Sequence, residues 1–257
     1  MTGKIKYVTV FLLFSLFSGC VVEEVGNTGY QSGYRAFWMN EQVCMKVNNY
    51  FSLMQLLDRY LSVSEELRPE LEDLLFGSYK VRKGEGSCWN INMGTETLFT
   101  IDTREHKLQE ATAGWSLSHY LGFGYEAKVN CVYQADHAYR MDCGSLYIEY
   151  YEADGTFIFT PDPEQGERFW KMSGKSNLQK QGDVTQITGM ITEPLLVERK
   201  NAVVFGGQLD MEIVNQKTGR SENATALVTT RYDSTPVRCV TITFKDNTET
   251  YENYLFE

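Results

Sequence analysis

Leu209 to Thr230, LDMEIVNQKTGRSENATALVTT, decides the fold class. Two runs rich in apolar and β-branched residues, LDMEIV and ATALVTT, flank Lys217-Thr218-Gly219. A short glycine-containing turn between two such runs makes a hairpin. The pattern recurs along the chain: Leu98-Phe99-Thr100-Ile101, Leu146 to Tyr151, Thr156 to Thr160 and Val237 to Phe244 read as further strands. Asp154-Gly155 is expected to turn SLYIEYY into TFIFT, and Lys245-Asp246-Asn247 to turn VRCVTITF into TETYENYLF. Strands joined by tight turns run antiparallel, so the pattern predicts a meander and excludes a βαβ fold.

Upstream the period changes. Val43, Val47, Tyr50, Met54, Leu57 and Leu61 recur at three- and four-residue spacing. That predicts a helix with one buried face, opening at Asn40-Glu41, whose side chains suit a first turn. Ser64-Glu65-Glu66 reads as a new cap, and Pro69 predicts a second helix from Pro69 to Phe76, ended by Gly77. The expected fold class is mainly β (α+β). An N-terminal helical hairpin at about 40–76 packs on a large antiparallel β-meander at about 78–257, barrel- or sandwich-like. Residues 37–257 form one globular domain behind a flexible, glycine-rich tether at 20–36.

The first residues carry an address. Lys4 and Lys6 precede an apolar run from Val8 to Phe17, and Gly19-Cys20 closes it. The run is shorter than the roughly 20 residues of a spanning helix. This stretch resembles the lipobox of bacterial lipoproteins. The resemblance implies a signal peptide at 1–19, lipidation of Cys20, and an acyl anchor in which each buried methylene adds about 0.8 kcal/mol. Val21, where an Asp would imply inner-membrane retention, implies a lipid-anchored outer-membrane location, with the periplasmic and cell-surface faces both open. Glu23 and Glu24 are similar to the acidic residues after the cysteine in surface lipoproteins of Bacteroidetes-like bacteria. Asp233-Ser234-Thr235 resembles the short motif at which such bacteria O-glycosylate exported proteins, which makes Ser234 and Thr235 candidate sites.

Charge narrows the partners. The 257 residues carry a net charge of −10, and the leader removes Lys4 and Lys6 but no acid. With no basic run after Lys6, nucleic acid is not an expected partner, and the membrane is met through the acyl anchor alone. Cys44, Cys88, Cys131, Cys143 and Cys239 form no CxxC pair and no Cys/His cluster, so no metal site is expected. Cys131 and Cys143 lie equally far from His137. A symmetric hairpin would set them opposite one another at disulfide distance; two buried thiols is the alternative, favoured by the odd number of cysteines.

HExxH and GxSxG are absent, and Gly122-Phe123-Gly124 has no helix after it, so no catalytic residues and no cofactors are expected. The acidic stretch Thr160 to Glu167 reads as a solvated hairpin loop rather than a calcium loop. Aromatic residues are the better clue, because exposed rings stack on sugars or anchor interfaces. Glu149 marks the wet side of its strand and makes Tyr147 and Tyr151 candidate ligand-binding residues. Trp115, Tyr120 and Tyr125, beside glycines, are a candidate rim. The expected function is a non-catalytic binding module for glycan or an envelope protein. The alternatives are a structural subunit of an outer-membrane assembly and a glycan hydrolase using a carboxylate pair.

Overall fold

The computed structural model describes residues 31–110, 114–122, 125–148, 151–162, 164, 166–180, 185–199, 202–232, 236–244 and 247–254. Cys20, residues 20–30 of the expected tether, Glu149, Ser234 and Thr235 lie outside them. Mainly β architecture is what the chain adopts. Thirteen strands form one antiparallel sheet in which each strand neighbours the next in sequence, so the meander is borne out. The first and last strands are not paired, so the sheet is not closed into a barrel.

A single long helix, α1 (Gln31–Leu61), replaces the shorter one expected from Asn40, and takes in residues 31–36 of the expected tether. Asn40 and Glu41 do not cap it, because their side chains are spent on the sheet. The chain falls into two compact units, and α1 contributes its N-terminal half to one and its C-terminal half to the other.

The unit of residues 46–145 holds the C-terminal half of α1, helix α2 (Arg68–Phe76) and strands β1 (Lys80–Lys83), β2 (Cys88–Met93), β3 (Glu96–Asp102), β4 (Trp115–Gly122), β5 (Tyr125–Tyr133) and most of β6 (Tyr139–Ile148). Val47 through Met54 is buried without interruption. Eight residues exceed two helical turns, so this stretch has no solvent face, which corrects the expected one-sided stripe. Its rings meet different strands: Tyr50 packs edge-on against Phe99 of β3, and Phe51 against Tyr139 of β6. Helix α2 starts at Arg68 with Pro69 in its first turn and stops at Gly77, as expected, although no side chain of Ser64-Glu65-Glu66 caps it. The expected helical hairpin laid on a sheet face is not borne out. Instead α2 engages strand β1, where Glu72 accepts the Val81 N–H at 2.8 Å.

The second unit takes residues 31–45 of α1 with residues 146–254. Its strands are β7 (Tyr151–Asp162), β8 (Gly166–Lys180), β9 (Thr185–Glu198), β10 (Val204–Asn215), β11 (Arg220–Tyr232), β12 (Pro236–Phe244) and β13 (Asn247–Tyr254). The turn at Lys217-Thr218-Gly219 is where the sequence puts it. Asn215 Oδ1 accepts the N–H groups of Lys217 and Thr218, and Gly219 has φ 67°. Phe244 pairs with Asn247, which places the last hairpin as expected.

Asp154-Gly155 is not a turn. Both lie inside β7, with Asp154 accepting from Asn177 Nδ2 of β8 at 2.7 Å, and the run Leu146 to Tyr151 is divided between β6 and β7. The ladders of the long strands are irregular between Met172 and Gly174 and around Gly206 and Gly207. Gly174 has φ 136° and Gly207 φ 111°, regions closed to other residues; a Cβ at Gly207 would also lie 2.5 Å from Pro194 O. Such bulges raise local twist and bend a sheet.

Candidate functional site

The β4–β5 hairpin carries the most exposed of the aromatic residues singled out from the sequence. Alternation in WSLSHY sends Trp115, Leu117 and His119 inward and leaves Ser116, Ser118 and Tyr120 outward. On β5, Ala127, Val129 and Cys131 are buried, while Glu126, Lys128 and Asn130 are exposed. The ladder sets Tyr120 opposite Glu126 and Ser118 opposite Lys128, and the Lys128 ammonium lies 3.4 Å from the Glu126 carboxylate. Tyr125 pairs with Gly122 at the end of the hairpin, after a register shift. Tyr120 is 49% exposed and Tyr125 41%. Tyr120 therefore stands on the outward face across from Glu126, with the acid and the base beside it. Tyr125, one residue before Glu126, has the opposite parity and shares the hairpin end but not that strand face. Such a surface offers apolar faces with hydrogen-bonding groups alongside, which is what a sugar ring needs.

The remaining candidates divide. Trp115 does not join the rim. It is 1% exposed, and its indole N–H donates to the His106 carbonyl at 3.0 Å. Tyr147 is half-buried, and Tyr151 is withdrawn from the expected wet face: it is 6% exposed, with the Arg35 guanidinium 6.0 Å from its ring centre. Cys131 and Cys143 are buried free thiols. The hairpin is centred on Asp136 rather than His137, so Cys131 faces Met141 and Cys143 faces Val129, which leaves the two cysteines two residues out of register for a bridge. At Thr160 to Glu167, Asp162 is buried and lies 3.3 Å from the Lys171 ammonium, at the hairpin loop expected there.

Beneath the hairpin, on the inward side of β4, lies a cluster that the sequence reading passed over. Tyr50 OH and His119 Nδ1 share a hydrogen bond of 2.9 Å, and the His119 ring tilts over Phe99 at 4.3 Å. Burial, helped by the charge of Lys46, brings His119 down to about 4. Burial likewise lowers Lys46 to about 8 and raises Tyr50, with Cys143 adding to the latter. A neutral imidazole and a protonated phenol are thus held together across the neutral range. Neither has a pKa near neutrality, so the pair suits fixing α1 better than moving protons. Its signal was present in WSLSHY, where strict alternation places His119 on the side of Trp115 and Leu117.

The other half of α1 has its own polar set. Asn40 donates to the Ala36 carbonyl at 2.8 Å and accepts from Ser176 Oγ of β8 at 2.5 Å. Glu41 is ion-paired with Arg238 of β12, both nearly buried. Burial pushes the Glu41 carboxyl up, against the pull of the Arg238 guanidinium. Cys44, one turn along, is pushed up to about 12 by burial and then by the Glu41 charge. Among the described residues no group of His, Cys, Asp and Glu is placed to hold a metal ion. The chain matches no family model, no curated protein and no solved structure.

Proposed function

We propose that the chain is a lipoprotein of the outer membrane, anchored through acyl chains on Cys20, and that it works as a non-catalytic binding module. The β4–β5 hairpin end is its ligand surface, and glycan is the ligand class. The observation that carries this reading is the joint exposure of Tyr120 and Tyr125, when Trp115, Tyr139, Tyr151 and Trp170 are all buried. Burial accounts for those rings as core; it does not account for Tyr120, left beside the Glu126–Lys128 pair, or for Tyr125 at the end of the same hairpin. A sugar would stack on an exposed ring, Tyr120 first, donate a hydroxyl hydrogen bond to Glu126 and accept one from Lys128.

The test is glycan binding by the full chain, compared with Tyr120→Ala and Tyr125→Ala. Cys20→Ala serves as the control that frees the chain from the membrane fraction. Each tyrosine variant should weaken binding about tenfold, the value of one aromatic contact. Undiminished glycan binding by both variants would remove the hairpin end from the site. If no glycan binds at all, a protein partner at the same rings becomes the reading to test.

A further inference from the structure

The outward face of the β4–β5 hairpin continues beyond Tyr120. Alternation puts Tyr120, Ser118 and Ser116 of β4 on that face, together with Glu126, Lys128 and Asn130 of β5. The ladder pairs them in that order: Tyr120 with Glu126, Ser118 with Lys128, Ser116 with Asn130. Successive pairs are two residues apart, so the three cover about 14 Å along the hairpin. No single sugar ring reaches from the first pair to the third. Among the described residues, the side chains of Ser116, Ser118 and Asn130 have no hydrogen-bond partner. On β6, Gly144 stands beside Lys128, and a Cβ there would meet nothing within 4 Å. Small hydroxyl and amide side chains thus line a face that has one exposed ring at its end.

The bases on this face are already matched. Lys128 lies 3.4 Å from Glu126, and Arg140 of β6 lies 2.9 Å from Asp142, which the ladder sets opposite Asn130. An ion pair keeps spare donors and lone pairs for neutral hydroxyls but has no net charge left to hold a carboxylate. Asp102 of β3, opposite Ser116, adds a third acid to two bases. Resting on the glycan reading above, we infer that the ligand is an uncharged glycan of at least three sugars, lying along the hairpin with one sugar to each pair. The first stacks on Tyr120. The second exchanges hydroxyl hydrogen bonds with Ser118 and Lys128, and the third with Ser116 and Asn130. Recognition is then of chain length as well as of a ring.

The test is an amide NMR titration of the full chain with neutral gluco-, manno- and xylo-oligosaccharides of one, three and five sugars. Oligogalacturonates of the same lengths are the acidic counterpart. For the sugar type that binds, affinity should rise about tenfold or more from one sugar to three, and little from three to five. The trisaccharide should shift the amides of Ser116 and Asn130, and the single sugar those nearer Tyr120. Ser116→Ala/Asn130→Ala should weaken the trisaccharide about tenfold and leave the single sugar unchanged, while Tyr120→Ala weakens both. Equal affinity for one and three sugars, or a trisaccharide indifferent to the Ser116 and Asn130 changes, overturns the inference and leaves the glycan reading standing. Tighter binding of the oligogalacturonates overturns the uncharged ligand. If no sugar binds, the glycan reading falls and this inference falls with it.

Discussion

Residues 31–45 and 46–61 belong to one unbroken helix, yet its halves are held by different chemistry. In the C-terminal half every residue from Val47 to Met54 is buried, while Gln55, Leu56, Asp58 and Leu61 are half-buried and Arg59 is exposed. Tyr50 bonds to His119, and Asp58 accepts the Leu108 N–H at 2.9 Å. The N-terminal half keeps an open flank, with Arg35 exposed and Trp38, Gln42 and Met45 half-buried. It is fixed instead by Asn40 with Ser176 and Glu41 with Arg238. Apolar burial is non-directional and tolerates sliding, whereas an amide and an ion pair each accept one geometry. The longest buried stretch lies in one half, and the buried ion pair in the other. Gly189 fits this account, since a Cβ there would collide with the Asn40 side chain.

Breaking the ion pair gives the largest effect expected from this contrast. Arg238→Met leaves Glu41 buried without its guanidinium, which costs about 4 kcal/mol. Glu41→Leu together with Arg238→Met removes both charges and should recover most of that loss, because a pair of buried charges contributes little net stability over an apolar pair. Urea unfolding of the single and double variants measures both numbers. A double variant as unstable as the single would mean that the pair is worth more than its own desolvation, and the N-terminal half would then be the stronger anchor outright.

Acid should separate the halves next. His119 has a pKa of about 4 in the folded chain against an ordinary 6.5. Between those values the unfolded chain takes up a proton that the folded chain refuses. Stability from this group is therefore complete above about pH 6.5 and lost as pH falls towards 4, by up to about 3 kcal/mol. Glu41 has the opposite sign: its folded pKa is raised, so proton uptake as pH falls favours the folded state. Hydrogen exchange of α1, corrected for intrinsic rate, should show residues 46–61 opening before residues 31–45 over that window. Simultaneous loosening of the two halves would break the comparison.

Legibility in the sequence follows the same divide between local and distant information. The meander and the turn at Lys217-Thr218-Gly219 are written in neighbouring residues, and they were readable. So was the last hairpin, where Asn247 opens β13 opposite Phe244, while Lys245 and Asp246 lie outside the described residues. Asp154-Gly155 carries the same local turn signal but is overruled by a strand partner, Asn177. Asn40 and Glu41 look like a helix start because their true partners, Ser176 and Arg238, are 136 and 197 residues away. Sequence spacing alone holds nothing that joins them. The rim was half legible: the glycines mark Tyr120 and Tyr125 as accessible, whereas Trp115 is claimed by the His106 carbonyl through a loop that no period predicts.

Tyr50→Phe is the smallest and sharpest probe of the C-terminal half. It deletes one hydroxyl, keeps the ring against Phe99, and leaves His119 Nδ1 buried without that partner, at a cost of about 1 kcal/mol. Burial is the first cause of the low His119 pKa and Lys46 the second, so the substitution should leave the titration of His119 where it was. Stability then falls by a constant amount across the acid window, and the two unfolding curves run parallel from pH 6.5 to 4. A His119 resonance that titrates a full unit higher in Tyr50→Phe would instead assign the depressed pKa to the hydrogen bond. In that case the hydrogen bond sets the charge state of His119 as well as its position, and the acid response of the C-terminal half, like the ion pair of the N-terminal half, rests on one directional contact.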